Sequence, residues 1–111
     1  MITTHGLSTE TVAKITGVLA QFPEVERAVL FGSRAKGSWH RGSDIDLALV
    51  GRQLDWRTLG RIDDLLDDLL LPYGFSLIEY GDRTDSEVAA HIGRVGTTFY
   101  ERASAAVPAK P

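Results

Sequence analysis

The sequence predicts an α/β domain in which short strands alternate with amphipathic helices. Two long segments carry apolar residues at helical spacing, short apolar or alternating runs lie between them, and glycine or proline ends most of these segments. A length of 111 residues fits one domain with one core. We therefore expect a single domain over residues 1–102, followed by a flexible tail over 103–111 with few packing groups.

The first helix is predicted from about Thr9 to Gln21. Ser8 is placed to cap this helix, Leu7 to act as its hydrophobic staple, and Pro23 follows its end. The buried face of the helix is expected to carry Val12, Ile15, Val18 and Leu19.

The remaining elements follow from the same reasoning. Asp55 is a good cap for a long helix that reaches Leu71, and Pro72 ends it. The buried stripe of that helix is predicted to be Leu59, Ile62, Leu65, Leu66, Leu69 and Leu70. Strands are predicted over 26–31, 45–50 and 75–80, an edge strand over 95–100, a helical turn and loop over 34–43, and a last helix from Asp85 or Ser86.

The composition of the chain argues against several classes of protein and of binding site. No run reaches the roughly 18 apolar residues of a membrane helix and the first residues do not resemble a signal peptide, so we expect a cytoplasmic protein without a membrane partner. The absence of cysteine leaves only oxygen and imidazole as metal ligands. A net charge of -3 and a pI near 5.5 disfavour non-specific nucleic-acid binding, so an anionic ligand would need a locally positive site.

A phosphate-binding segment is predicted where the first strand ends. Gly32 allows a phosphate to approach the backbone closely, and a strand that turns into a helical start presents free N–H groups. Ser33 adds a hydroxyl donor, and Arg34 and Lys36 add positive charge. These four residues are candidate contacts for a triphosphate.

Two carboxylates follow at the start of the second strand. Asp44 and Asp46 are two residues apart, so their side chains lie on one face, while Ile45 and Leu47 take the other. Paired acids repel each other unless a cation neutralises them, which favours a magnesium-type ion. Alone, each motif is better explained by an ordinary feature, a glycine turn or a strand entry with solvated acids. Their combination, in this order, favours a site for phosphate and metal.

The run from Gly32 to Gly37, together with Ser43 to Leu47, resembles the signature of the polymerase-beta-like nucleotidyltransferase superfamily, specifically its minimal nucleotidyltransferase (MNT) branch. Further parts of the chain, 63–73, 91–96 and 99–100, are similar to the body of these proteins. The resemblance implies a small mixed sheet flanked by helices. It also implies a partner, because MntA-like members of this branch serve as antitoxins of small helical HEPN-type proteins.

The same resemblance implies roles for the residues of the motif. Gly32 and Ser33 would contact phosphates, with Ser43 a further candidate, and Asp44 and Asp46 would hold Mg²⁺ or Mn²⁺ with ATP as substrate. The family usually has a third carboxylate on the next core strand, where this chain has Ser76.

Ser76 cannot act as a metal-ligating general base of that kind. Glu79 is three residues further along and is expected on the opposite face of the strand, and Asp82 lies beyond the strand end. We therefore expect nucleotide binding, whereas Ser76 leaves turnover an open question.

Several other residues allow both a functional and an ordinary reading. The helix acids Asp63, Asp64, Asp67 and Asp68 are expected on a solvated face rather than at a second metal site. A surface loop is favoured for His40, although it could touch phosphate or base. Neither His5 nor His91 recurs at metal-ligand spacing, and Trp39 and Trp56 fit either packing or an interface.

The function expected from these features is metal-dependent transfer of a nucleoside monophosphate, with AMP from ATP as the expected group, to a hydroxyl of a protein partner. The alternative is a catalytically impaired nucleotide-binding antitoxin that acts by complex formation, for which Ser76 argues. A third interpretation is a structural subunit whose acids bind nothing. Homo- and hetero-oligomers both remain open.

Overall fold

The computed structural model describes residues 5–102, so the predicted tail over 103–111 lies outside the described residues. Its elements, in chain order, are α1 (Thr9–Ala20), β1 (Arg27–Phe31), α2 (Gly32–Lys36), β2 (Ile45–Val50), α3 (Trp56–Asp67), β3 (Phe75–Glu79), α4 (Ser86–Val95) and β4 (Thr97–Glu101). All eight elements expected from the sequence are present. Their bounds differ from the predicted ones by a few residues at most.

The four strands form one mixed sheet in the order β3-β2-β1-β4. β1 pairs antiparallel with both β2 and β4, whereas β2 and β3 run parallel. A parallel pair needs a crossover connection, and α3 supplies it. The predicted α/β class and the mixed sheet flanked by helices are confirmed.

Side chains of the predicted type cap the three longer helices. Ser8 Oγ accepts the Thr11 N–H at 3.0 Å, and Asp55 Oδ1 accepts the Thr58 N–H at 2.9 Å. Asp85 Oδ2 does the same at the start of α4. Each cap satisfies a backbone donor that has no partner within the helix, so the helix starts follow from the sequence.

The sheet buries its two faces unequally. The larger cluster packs α1 and α3 against one face and includes, among others, Ile15, Leu19, Leu30, Ile45, Leu47, Leu49, Ile62 and Leu66. The smaller cluster lies under α4 and consists of buried Val29, Ala48 and Ile92 with partly buried residues around them. β2 is therefore buried on both faces along its second half, and only its first residues leave room for a polar site.

The end of α3 differs from the prediction. The helix stops at Asp67 instead of Leu71, and Leu70 adopts a positive φ of 57°. Leu70 is consequently 88% exposed and does not belong to the buried stripe, which corrects the sequence interpretation. Leu69, by contrast, does pack against the core.

No helix within residues 5–102 combines the length and apolar character needed to cross a membrane.

Candidate functional site

Asp46 lies on the α4 side of the sheet, at the start of β2. In the register of the sheet it pairs with Phe31 at the end of β1 and with Ser76 on β3. Side chains of directly paired residues stand next to each other on one face. The structure therefore brings Ser76 beside Asp46, and Ser76 is exposed.

Gly32 is required for the position of Asp46. Its φ of +75° lies in the left-handed region, and a Cβ at this residue would collide with Asp46 Oδ2. The carboxylate of Asp46 thus rests directly against the backbone where β1 turns into α2. A side chain at Gly32 would displace the acid as well as strain the turn.

Asp44 has a similar relation to Gly74. The Gly74 carbonyl accepts the Ile45 N–H at 2.9 Å, and a Cβ on Gly74 would lie 2.8 Å from Asp44 Oδ1. In the sequence, Gly74 indicates only the end of a helical segment. The structure shows that it also leaves space for the exposed carboxylate of Asp44.

The two acids open onto a cavity of about 430 Å³. The residues that line this cavity come from the start of α2, from the loop before β2 and from β2 itself: Ser33, His40, Gly42, Ser43, Asp44 and Asp46. Four of the predicted site residues thus line one cavity: Ser33, Ser43, Asp44 and Asp46. We name it the acid cavity.

Charge in the acid cavity favours a cation. Burial raises the pKa of the Asp46 carboxyl, the neighbouring charge of Asp44 raises it further, and His91 lowers it in part. A divalent ion would relieve both the burial cost and the repulsion. Within residues 5–102 no group of three or more His, Asp or Glu side chains is arranged to hold a metal. Two carboxylates completed by substrate phosphates fit the usual binding mode of Mg²⁺.

The loop before β2 is folded by Ser43. Its Oγ accepts the His40 N–H at 2.9 Å, and its own N–H donates to the His40 carbonyl at 3.0 Å. This turn places the exposed His40 on the wall of the acid cavity. The sequence favoured a plain surface loop for His40, and the structure puts that loop residue at the site.

Arg34 has a different position from the expected phosphate contact. Its side chain is 2% exposed and donates through Nε and Nη2 to the Ser43 carbonyl at 3.1 and 2.9 Å, and through Nη1 to the His5 carbonyl at 3.0 Å. The guanidinium also lies over the ring of Tyr73, 4.8 Å from its centroid. Arg34 therefore fixes the loop that carries the acids instead of facing the cavity.

Three further residues considered from the sequence lie apart from the two acids. Lys36 is exposed at the end of α2 and is not part of the described wall of the acid cavity. Glu79 and Asp82 line a larger cavity of about 840 Å³ beyond the other ends of β2 and β3, together with the 75% exposed Trp56. Neither acid takes the place of a carboxylate at Ser76.

His91 is the residue at this site that sequence reasoning missed. Its Nε2 accepts the N–H of Gly32 at 3.2 Å, although the two residues are 59 positions apart in the chain. Its ring meets Phe31 edge-on at a centroid distance of 6.1 Å. Val88 and Ile92 of α4 pack towards the sheet, and a histidine at helical spacing from Val88 is the signal that could have drawn attention to it.

A family model described as "Polymerase beta, Nucleotidyltransferase" matches residues 13–105 of the chain. A search of curated proteins gave no significant match. The similar solved structures, at 18 to 23% identity, show a shared fold.

Three similar solved chains come from toxin-antitoxin complexes. One, from a crystal structure of "the toxin-antitoxin with AMP-PNP", is 23% identical with a TM-score of 0.68, covering 85% of this chain and 76% of that one. Another, from the MntA-HepT complex, is 18% identical with a TM-score of 0.64, covering 88% and 76%. A third comes from tri-AMPylated Shewanella oneidensis HEPN toxin in complex with MNT antitoxin, at 18% identity and TM-score 0.64, covering 87% and 75%.

Proposed function

We infer the function from the family, since this chain belongs to the polymerase beta nucleotidyltransferase family. We propose that it transfers AMP from ATP to a hydroxyl of a HEPN-type helical protein partner, in a metal-dependent reaction, and so serves as an antitoxin. The observation that carries this proposal is the acid cavity, where Asp44 and Asp46 meet Ser33 beside the tight turn at Gly32.

Four residues of the acid cavity have a part in this reaction. Asp44 and Asp46 would hold Mg²⁺ or Mn²⁺, and the Ser33 hydroxyl would donate to a phosphate oxygen. The metal, when bound, neutralises charge on the phosphates and on the leaving oxygen. Ser43 and buried Arg34 keep the loop with the acids in place.

The transfer itself makes one bond and breaks one. The acceptor hydroxyl oxygen forms a bond to the α-phosphorus of ATP, the bond from that phosphorus to the bridging oxygen breaks, and pyrophosphate leaves. The hydroxyl proton must pass to a base. Ser76 lies beside Asp46 and offers no carboxylate, so the proton leaves to water or to a group of the partner.

A protein acceptor is supported by the shape of the site and by the relatives. The acid cavity is open, so an acceptor on a second protein can approach the acids from outside. Related folds occur in complexes described as MntA-HepT and as an AMPylated HEPN toxin with an MNT antitoxin. For this chain, the partner is a small helical protein that offers a hydroxyl side chain.

Transfer of label from α-³²P-ATP to a co-expressed HEPN-type protein, with Mg²⁺, tests this function. Asp46→Asn is expected to lower the rate at least about a hundredfold, because a bound metal is worth several kcal/mol to the transition state. Asp64→Asn, an exposed acid on α3, is the matched control and should leave the rate unchanged. If the unmodified chain transfers no label, the proposed catalytic function is wrong.

A second candidate function is neutralisation of the partner by binding alone, and Ser76 is the observation that favours it. Ser76→Asp separates the two functions, since the new carboxylate would lie beside Asp46. A large gain in transfer means that the natural chain binds nucleotide but turns over poorly. An unchanged, substantial rate means that another group accepts the proton.

A further inference from the structure

His91 connects α4 to the turn that begins α2. Its Nε2 accepts the Gly32 N–H at 3.2 Å, and its ring packs edge-on against Phe31, the residue before that turn. Gly32 is the residue whose backbone rests against the Asp46 carboxylate. His91 therefore restrains the Gly32 peptide, against which the Asp46 carboxylate packs.

The position of His91 is determined by the core. Its neighbour Ile92 is 3% exposed and packs with Val29 and Ala48 against the sheet. At the end of the helix, the Gly96 N–H donates to the Ile92 carbonyl at 2.7 Å. The ring thus projects from a packed helix, and a hydrogen bond from such a helix restrains the turn more than one from a loop would.

The hydrogen bond also fixes the form of the ring. An imidazole nitrogen that accepts an N–H carries no proton, so the neutral ring must hold its proton on Nδ1. The Gly32 N–H, for its part, is engaged and does not point freely to a ligand. In the acid cavity this leaves the Ser33 hydroxyl as a donor to phosphate.

We propose that His91, as the Nδ1–H tautomer, is a positioning residue that fixes the Gly32 peptide and thereby the Asp46 carboxylate for binding of a metal–nucleoside triphosphate complex. Glycine at positive φ loses more conformational freedom on ordering than other residues, so an anchor on its N–H favours the arrangement that the acid needs. His91 acts through Gly32 and Asp46 and does not itself take part in the chemistry.

The tautomer is tested by long-range ¹H–¹⁵N spectra of the histidine rings at pH 8. His91 is expected to show a protonated Nδ1 and an unprotonated Nε2. His91→Gln keeps an acceptor at the end of the side chain, whereas His91→Ala removes it. The Gly32 amide resonance should shift and its hydrogen exchange accelerate in the alanine variant only, with the amides of α4 still protected. A protonated Nε2, or an unchanged Gly32 amide in His91→Ala, overturns the proposal.

Titration calorimetry with Mg²⁺ and AMP-PNP tests the consequence for binding, which rests on the proposed function. His91→Ala should weaken binding by about tenfold, as for partners that orient metal ligands, and His91→Gln should restore most of it. Arg94→Ala, at an exposed position of α4, is the matched control and should bind as the natural chain does.

Failure of the positioning role of His91 can be distinguished from failure of the proposed function. If the natural chain binds no Mg²⁺–AMP-PNP, the proposed function fails together with the role in binding. If the natural chain binds it and His91→Ala binds equally well, the positioning role fails and the proposed function stands.

Discussion

The sheet face under α1 and α3 and the sheet face under α4 differ in what they bury. The first carries a continuous apolar cluster, including fully buried Leu47. The second carries three buried residues and, beside them, the half-buried Asp46. Asp46 and Leu47 are neighbours in β2 but lie on opposite faces. One face therefore provides the packing energy, which lets the other keep an acid in a costly position.

The largest expected effect is on the packed face. Leu47→Ala should lower the free energy of unfolding by about 3 kcal/mol, because it deletes a fully buried side chain in the main cluster. Urea unfolding followed by circular dichroism measures this loss. Folded Leu47→Ala should still bind Mg²⁺–AMP-PNP with the affinity of the natural chain, and a parallel loss of affinity would contradict the separation of the two faces.

A matched pair of isoleucines sharpens the comparison. Ile62 on α3 and Ile92 on α4 are both buried, so replacing either by valine should cost about 1 kcal/mol of stability. Only Ile92→Val should also weaken Mg²⁺–AMP-PNP binding, by about threefold or roughly 0.6 kcal/mol, since it loosens the helix that carries His91. Urea unfolding measures the stability of both variants, and titration calorimetry measures their affinity for Mg²⁺–AMP-PNP. Equal effects on binding would show that α4 has no special relation to the site.

Local patterns predicted much of the fold and the centre of the site. The caps Ser8 and Asp55 and the strand from Ile45 to Val50 follow from short-range rules, and the alternation in that strand puts Asp44 and Asp46 on one face. These are properties of neighbouring residues.

Other features depend on contacts between distant parts of the chain. A positive charge next to Gly-Ser suggests a phosphate contact, but Arg34 meets the carbonyls of Ser43 and His5 only once the loops are folded. The contact between His91 and Gly32 spans 59 residues, and no local pattern encodes it. Leu70 departs from its helical stripe because the chain turns to a positive φ before Pro72.

The smallest expected effect concerns the pH dependence of stability on the α4 face. Burial and the charge of Asp44 raise the pKa of Asp46 above that of an unfolded aspartate. The protonated acid is therefore favoured by folding, and its contribution is present below about pH 4 and is lost as the pH rises through the folded pKa. Asp46→Asn has no carboxyl to ionise, so it does not lose stability in this way as the pH rises. Without metal, the variant should therefore be slightly more stable than the natural chain at pH 7 and no more stable at pH 3.

Magnesium should reverse that order. A ligand that binds only the folded state stabilises it by about 2.7 kcal/mol at a hundred times its dissociation constant, and Asp46→Asn forgoes this gain because it lacks one of the two carboxylates. Thermal unfolding of both chains at pH 3 and pH 7, with Mg²⁺ and AMP-PNP present or absent, measures each part. A natural chain that is already the more stable at pH 7 without metal would mean that Asp46 is stabilised by its protein surroundings, and the acid cavity would then have no electrostatic need of a cation.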